Sequence, residues 1–265
     1  MDINFLKQNG VDTDKALELF GDMDIYNETF QDYLDGIDEK LSNLKRSKDN
    51  ENWQDYGIFA HSIKSDARYL GFTKEAEIFL QHEMAGKQEN QHFIEKEYDN
   101  LLKTVSYMTS IVKRYLSGEK ALSRMPEPEV RPVINTVASP LEDVVLIVDD
   151  SKIVDNFALK VMDGMYKGVV ALDGKEAIDI ISSNKYNIFA ILLDLNMPNV
   201  GGFEVLDYLK NSNHYSKIPI SIITGEDSKD MIDKAFKYNI VDMLVKPFSK
   251  SDFLRVLDKT INLNK

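Results

Sequence analysis

Residues 143–265 alternate five short apolar runs with five helical patterns, and this alternation constrains the fold more than any other feature of the 265-residue chain. The runs fall at 144–148, 168–172, 188–193, 219–223 and 241–245. Helical patterns lie between and after them, near 152–164, 174–184, 201–211, 227–238 and 250–262. Runs this apolar do not suit a sheet with one wet face. They predict a parallel sheet covered by helices on both sides. In such sheets ligands bind beyond the carboxyl ends of the strands.

The residues just past each run are therefore candidates for a site. Asp149 and Asp150 follow the first, Asp194 the third and Lys246 the fifth, while Thr224 ends the fourth and is followed by Gly225. Singly, each has an ordinary explanation, since an aspartate after a strand is a common helix N-cap. Together they place three carboxylates, a cation and a hydroxyl on one sheet edge. A hard divalent cation relieves the repulsion between the carboxylates, and Mg²⁺ takes oxygen ligands while keeping waters and phosphate oxygens. The lysine complements a phosphoryl dianion and the threonine hydroxyl bonds one of its oxygens. This is a set for phosphoryl transfer to a carboxylate nucleophile.

The strings VVLIVDD, ILLDLNMPNVGG, IITGE and LVKPF carry these residues, and through them segment 143–265 resembles the receiver domain of two-component response regulators. The resemblance implies a flavodoxin-like (βα)5 fold phosphorylated on Asp194. It implies Mg²⁺ held by Asp150, Asp194 and the main-chain carbonyl of Asn196, with Asp149 acting through water. Lys246 would contact the phosphoryl group and Thr224 would move to bind it. Met243 stands where the family usually has a rotating Tyr or Phe. Asn196 and Glu226 resemble the pair found in fast-hydrolysing chemotaxis receivers, which implies a phosphoaspartate lasting seconds to minutes.

Residues 1–118 read differently. Phe30, Tyr33, Ile37, Leu41 and Leu44 recur at helical steps, as do Trp53, Tyr56, Ala60, Ile63, Ala67 and Leu70. A shorter helix is expected from an N-cap at Thr73 to about Gly86, and a long one carries Ile94 to Tyr115. The expectation is an all-α bundle of four or five helices. His61 falls off the buried stripe of its helix, which predicts an accessible imidazole. Lys64 and Ser65 neighbour it at i+3 and i+4, and Gly57 lies one turn before. Small neighbours leave room for a partner, and the cation can stabilise a phosphoryl group on the ring. His82, His92 and His214 show no such setting. HSIKSDARYLG resembles the signature of histidine phosphotransfer domains, with His61, Lys64, Ser65 and a helix-ending Gly71 in the matching places. Ser65 replaces the usual glycine, and the acidic Asp66 stands where a small or polar residue is usual.

Four of the seven prolines fall within 126–140, so 119–142 reads as a linker. A flexible chain of that length spans about 25–30 Å, enough for the two parts to meet. The net charge of −12 argues against a sequence-independent grip on nucleic acid. Both parts are acidic: residues 1–120 hold 15 Lys+Arg against 23 Asp+Glu, and residues 143–265 hold 15 against 18. There is no cysteine, which excludes disulfides and thiolate metal sites. The start lacks a signal-peptide layout and no apolar run approaches a membrane span, so a cytoplasmic protein without membrane insertion is expected. Neither the glycine-rich nucleotide motif of a sensor kinase nor room for a DNA-binding domain after the receiver is found. The expectation is a phosphoryl carrier rather than an enzyme that uses ATP, exchanging its group with a sensor histidine kinase and other receiver or phosphotransfer proteins. A phosphate sink and a non-catalytic interaction module are the alternatives.

Overall fold

In the computed structural model, residues 2–118, 142–212, 218–225 and 229–263 are described. The expected linker lies outside the described residues except for Glu142, where the first strand begins.

The first part is helical throughout: α1 (Ile3–Gln8), α2 (Thr13–Phe20), α3 (Met23–Asp49), α4 (Trp53–Tyr69), α5 (Thr73–Lys87) and α6 (Gln91–Ser117). These are six helices rather than four or five. The difference lies in α1 and α2, which are too short to display an apolar stripe but are each started by an aspartate. Asp2 accepts from the Asn4 amide and Asp12 from the Lys15 amide. Asp22 and Asn90 cap the two long helices in the same way. Thr73 is the first helical residue of α5, and Phe72 holds the cap position without a side-chain bond. Gly71, at φ +86°, turns the chain out of α4.

The second part is a five-stranded parallel sheet of order β2-β1-β3-β4-β5. Its strands are β1 (Glu142–Val148), β2 (Gly168–Ala171), β3 (Tyr186–Asp194), β4 (Ile220–Thr224) and β5 (Met243–Val245). Helices α7 (Lys152–Met162), α8 (Gly174–Ser182), α9 (Gly202–Asn211), α10 (Lys229–Ala235) and α11 (Lys250–Asn262) connect and follow them. Alternate strand residues serve opposite faces. Val145, Ile147, Leu192 and Ile223 pack with α7 and α11, whereas Leu146, Ile191, Leu193 and Ile222 pack with α8 and α9. Both faces are dry, as the unbroken apolar runs require.

The two parts share one core. The bundle interior is continuous with the α7–α11 face of the sheet domain. Phe20 meets Phe157 edge-on at 5.6 Å between ring centroids, and Tyr69 meets Phe248 edge-on at 5.8 Å. All four rings are buried. Each such pair contributes about 0.5–1.5 kcal/mol beyond the area it buries. Around this apolar seam, Lys160 pairs with Glu28, and Asp32 bonds the Asn156 side chain. Glu28 and Asp32 are thus each engaged at the seam, whereas the Asp155 carboxyl of α7 is buried with no hydrogen-bond partner among the described residues.

Candidate functional site

The carboxyl ends of β1, β3, β4 and β5 bring their flanking residues together. The register places Asp194 beside Ile223, and the Lys246 amide donates to the Thr224 carbonyl at 2.7 Å. Asp149, Asp150 and Asp194 each offer an oxygen, all within 4.8 Å of one another. Asp149 and Asp194 are fully buried and Asp150 is half-buried. The Lys246 ammonium lies 2.6 Å from Asp149 Oδ2 and 2.5 Å from Asp194 Oδ2. The Lys246–Pro247 peptide is cis. Backbone amides hold the acids in place: Ser151 donates to Asp149 Oδ1 and Asn196 to Asp194 Oδ1, both at 3.0 Å.

Burial pushes the Asp149 carboxyl up to about 7. Lys246 pulls it down, and the neighbouring Asp194 and Asp150 raise it again. Lys246 has the reverse balance: burial lowers it, but Asp149, Asp194 and Asp150 outweigh burial and hold it charged. A group of three carboxylates with one fixed cation is short of positive charge. Three carboxylates gathered at one sheet edge supply the hard oxygen ligands that a small divalent ion takes, so the residues fit Mg²⁺. Asn196 directly follows the bend after Asp194. Thr224 is buried at the end of β4. Glu226, the expected partner of Asn196 in hydrolysis, lies outside the described residues.

His61 is 4% exposed, which corrects the expectation of an accessible imidazole. His61 does lie off the bundle stripe, but the sheet domain covers that side. With the bundle on one side and the sheet domain on the other, nearly all of α4 from Tyr56 to Tyr69 is buried. The ring lies directly over Gly225, where an added Cβ would fall 2.5 Å from Nε2 and 2.8 Å from Cε1. Only glycine permits that approach. Nε2 is buried and has no hydrogen-bond partner among the described residues.

The other ring nitrogen is held. Nδ1 lies 2.9 Å from Glu83 Oε1 on α5. Burial pushes the Glu83 carboxyl up, but its hydrogen bond with His61, with Lys64 after it, outweighs burial and keeps it well below the usual carboxylate range. An ionised carboxylate only accepts, so in the neutral ring the proton sits on Nδ1 and the lone pair on Nε2. Lys64 pairs with Glu83 and lies 3.2 Å from Nδ1, on the side of the ring away from Gly225. Lys87 approaches Glu83 Oε1 at 2.9 Å.

Two further expectations change. Gly57 does not leave clearance for a partner. It is where α4 and α5 cross: a Cβ on Gly86 would meet the Gly57 Cα and N at 2.6 Å. Asp66 points away from the imidazole, accepting from Lys40 Nζ at 2.6 Å and from the Ser151 hydroxyl at 2.9 Å. A cleft of about 170 Å³ opens at the seam, lined by Lys40, Asp66, Asp150, Lys152 and Asn199 among others. Sequence reasoning missed Glu83, Tyr69, Ser151 and Phe248. Each acts across elements distant in the chain, and no local spacing marks them.

The family model for response regulator receiver domains matches residues 145–258, and the helical residues before them lie outside that match. A two-component response regulator of Oryza sativa subsp. indica, ORR3, is 32% identical over 128 residues, covering 48% of this chain and 95% of the relative. The CAI-1 autoinducer sensor kinase/phosphatase CqsS of Vibrio cholerae is 33% identical over 146 residues, which is 54% of this chain and only 20% of that relative. Among solved structures, the Vibrio cholerae chemotaxis protein CheY4 is similar, with 29% identity, a TM-score of 0.41, and coverage of 45% of this chain and 98% of that one. By the strand-edge residues, the family model and the similarity to ORR3, the chain belongs, through residues 145–258, to the response regulator receiver family of two-component systems.

Proposed function

We propose that the protein is a phosphoryl carrier of a phosphorelay, taking the group on Asp194 and on His61. The observation that carries this reading is the pairing of two unlike acceptors. One is a buried aspartate beside Lys246 and two further carboxylates. The other is an imidazole whose Nδ1 is bonded to Glu83 and whose Nε2 has no partner among the described residues. Mg²⁺, held by Asp150, Asp194 and Asn196 with Asp149 close by, would supply the charge that lets a phosphoryl group approach three acids. Asp194 is the nucleophile, Lys246 neutralises an oxygen of the incoming group, and the Thr224 hydroxyl bonds another.

On this reading residues 2–118 are a histidine phosphotransfer bundle. The protein's donors and acceptors are a sensor histidine kinase and other receiver or phosphotransfer proteins. Incubation with acetyl phosphate and Mg²⁺ tests the aspartate. Base-labile phosphate should appear on the wild type, and should be lost in Asp194→Asn or when EDTA removes the metal. Undiminished labelling in either case would refute the assignment.

A further inference from the structure

Helix α4 touches the carboxyl edge of the sheet at three strand ends. His61 lies over Gly225, just after β4. Asp66, five residues on, accepts from the Ser151 hydroxyl just after β1. Tyr69, three further, packs on Phe248 just after β5. Burial pushes the Tyr69 phenol up strongly, and Lys246, Asp149 and Asp194 all act on it. One helix thus spans the edge with three side chains, and β3 with Asp194 lies between β1 and β4. Nε2, without a partner among the described residues, is the atom delivered to that edge.

Resting on the carrier reading, we propose that the docked arrangement is a phosphotransfer complex formed within one chain, in which Asp194 and His61 of the same molecule exchange the phosphoryl group. The Nε2 lone pair attacks the phosphorus of the Asp194 acyl phosphate. The N–P bond forms as the Oδ–P bond breaks, and the electron pair of the broken bond returns to the Asp194 carboxylate. The proton already on Nδ1 stays hydrogen-bonded to Glu83, whose negative charge balances the phosphorylated ring. The reverse step returns the group to Asp194, with no other reactant in either direction.

Several features support a functional encounter rather than chance packing. Gly225 gives the ring access that any side chain there would deny. Asp66, which as a free carboxylate would repel a phosphoryl group, is neutralised by Lys40 and engaged by Ser151. The seam itself is apolar and aromatic, with Lys160 paired to Glu28 at its margin.

The test uses the full chain, charged on Asp194 with acetyl phosphate, and follows base-stable label as it appears on His61. Transfer within a chain is first order, so its rate constant should not change over a roughly hundredfold range of protein concentration, since the tether sets a local concentration on the order of millimolar. A micromolar mixture of His61→Gln and Asp194→Asn chains should transfer more slowly by about tenfold or more. Gly36→Trp provides a wedge: Gly36 lines the cleft at the seam, and among the described residues a Cβ there would come within 3.9 Å of the Lys152 side chain across it. It should lower the wild-type rate towards that of the mixture, with the helical content unchanged by circular dichroism. A rate proportional to concentration, with the mixture as fast as the intact chain, would overturn the intramolecular proposal and leave the carrier reading standing. Base-stable label in neither arrangement would overturn both.

Discussion

At the scale of single residues, the least expected finding is the role of Glu83. Its carboxylate fixes the tautomer of His61 and gathers Lys64 and Lys87 around itself. It is a positioning residue, since it acts on the phosphoryl group only through the ring. Removing its charge frees the Nδ1 proton to move and leaves Lys64 buried without its counter-ion. Burial already lowers Lys64 from the usual lysine value, and Glu83 restores part of that shift. Glu83→Gln should therefore slow phosphorylation of His61 by at least about tenfold, a range typical for losing a well-placed proton partner. Labelling of Asp194 by acetyl phosphate should stay near the wild-type rate, and Glu83→Asp should recover part of the loss. The two labels falling together would mean that Glu83 only holds the fold. Nothing in the sequence marks this residue, because its meeting with His61 is made by the crossing of two helices. Asp149, Asp150, Asp194 and Lys246 were legible, because in a parallel sheet the strand ends fix where the next side chains go.

At the scale of elements, helix spacing told which residues face inward but not what else would cover the outside. The stripe of α4 formed by Trp53, Tyr56, Ala60 and Ile63 does pack inward. That His61, Ser65 and Asp66 are also buried follows from the second domain, which no single-helix pattern reports. Short helices were missed for a related reason: α1 and α2 depend on their caps and contacts more than on periodicity. The crossing of α4 and α5 is the element on which the histidine site depends. Gly57 and Gly86 let the two backbones approach, and Glu83 sits one turn before Gly86. Gly86→Ala forces the helices apart, which should cost about 1–3 kcal/mol, as overpacking typically does. Thermal unfolding should show the loss as a drop of several degrees. An unchanged melting temperature would mean that the crossing is looser than its geometry indicates.

At the scale of the whole molecule, two acidic parts meet through an apolar seam that shields both candidate acceptors from solvent. The sequence suggested two domains and a chain long enough to bring them together, and it could not say whether or how they meet. The aromatic pairs Phe20–Phe157 and Tyr69–Phe248 join residues more than a hundred positions apart, beyond the reach of any pattern along the chain. The central claim is that one molecule carries a phosphoryl group on both Asp194 and His61. The most direct measurement is the chemical stability of the label on the full chain after charging with acetyl phosphate. The account predicts two fractions in the wild type, one lost in base and one lost only in acid. His61→Gln should lack the acid-labile, base-stable fraction, and Asp194→Asn should lack both. A base-stable fraction of wild-type size in His61→Gln would contradict the account.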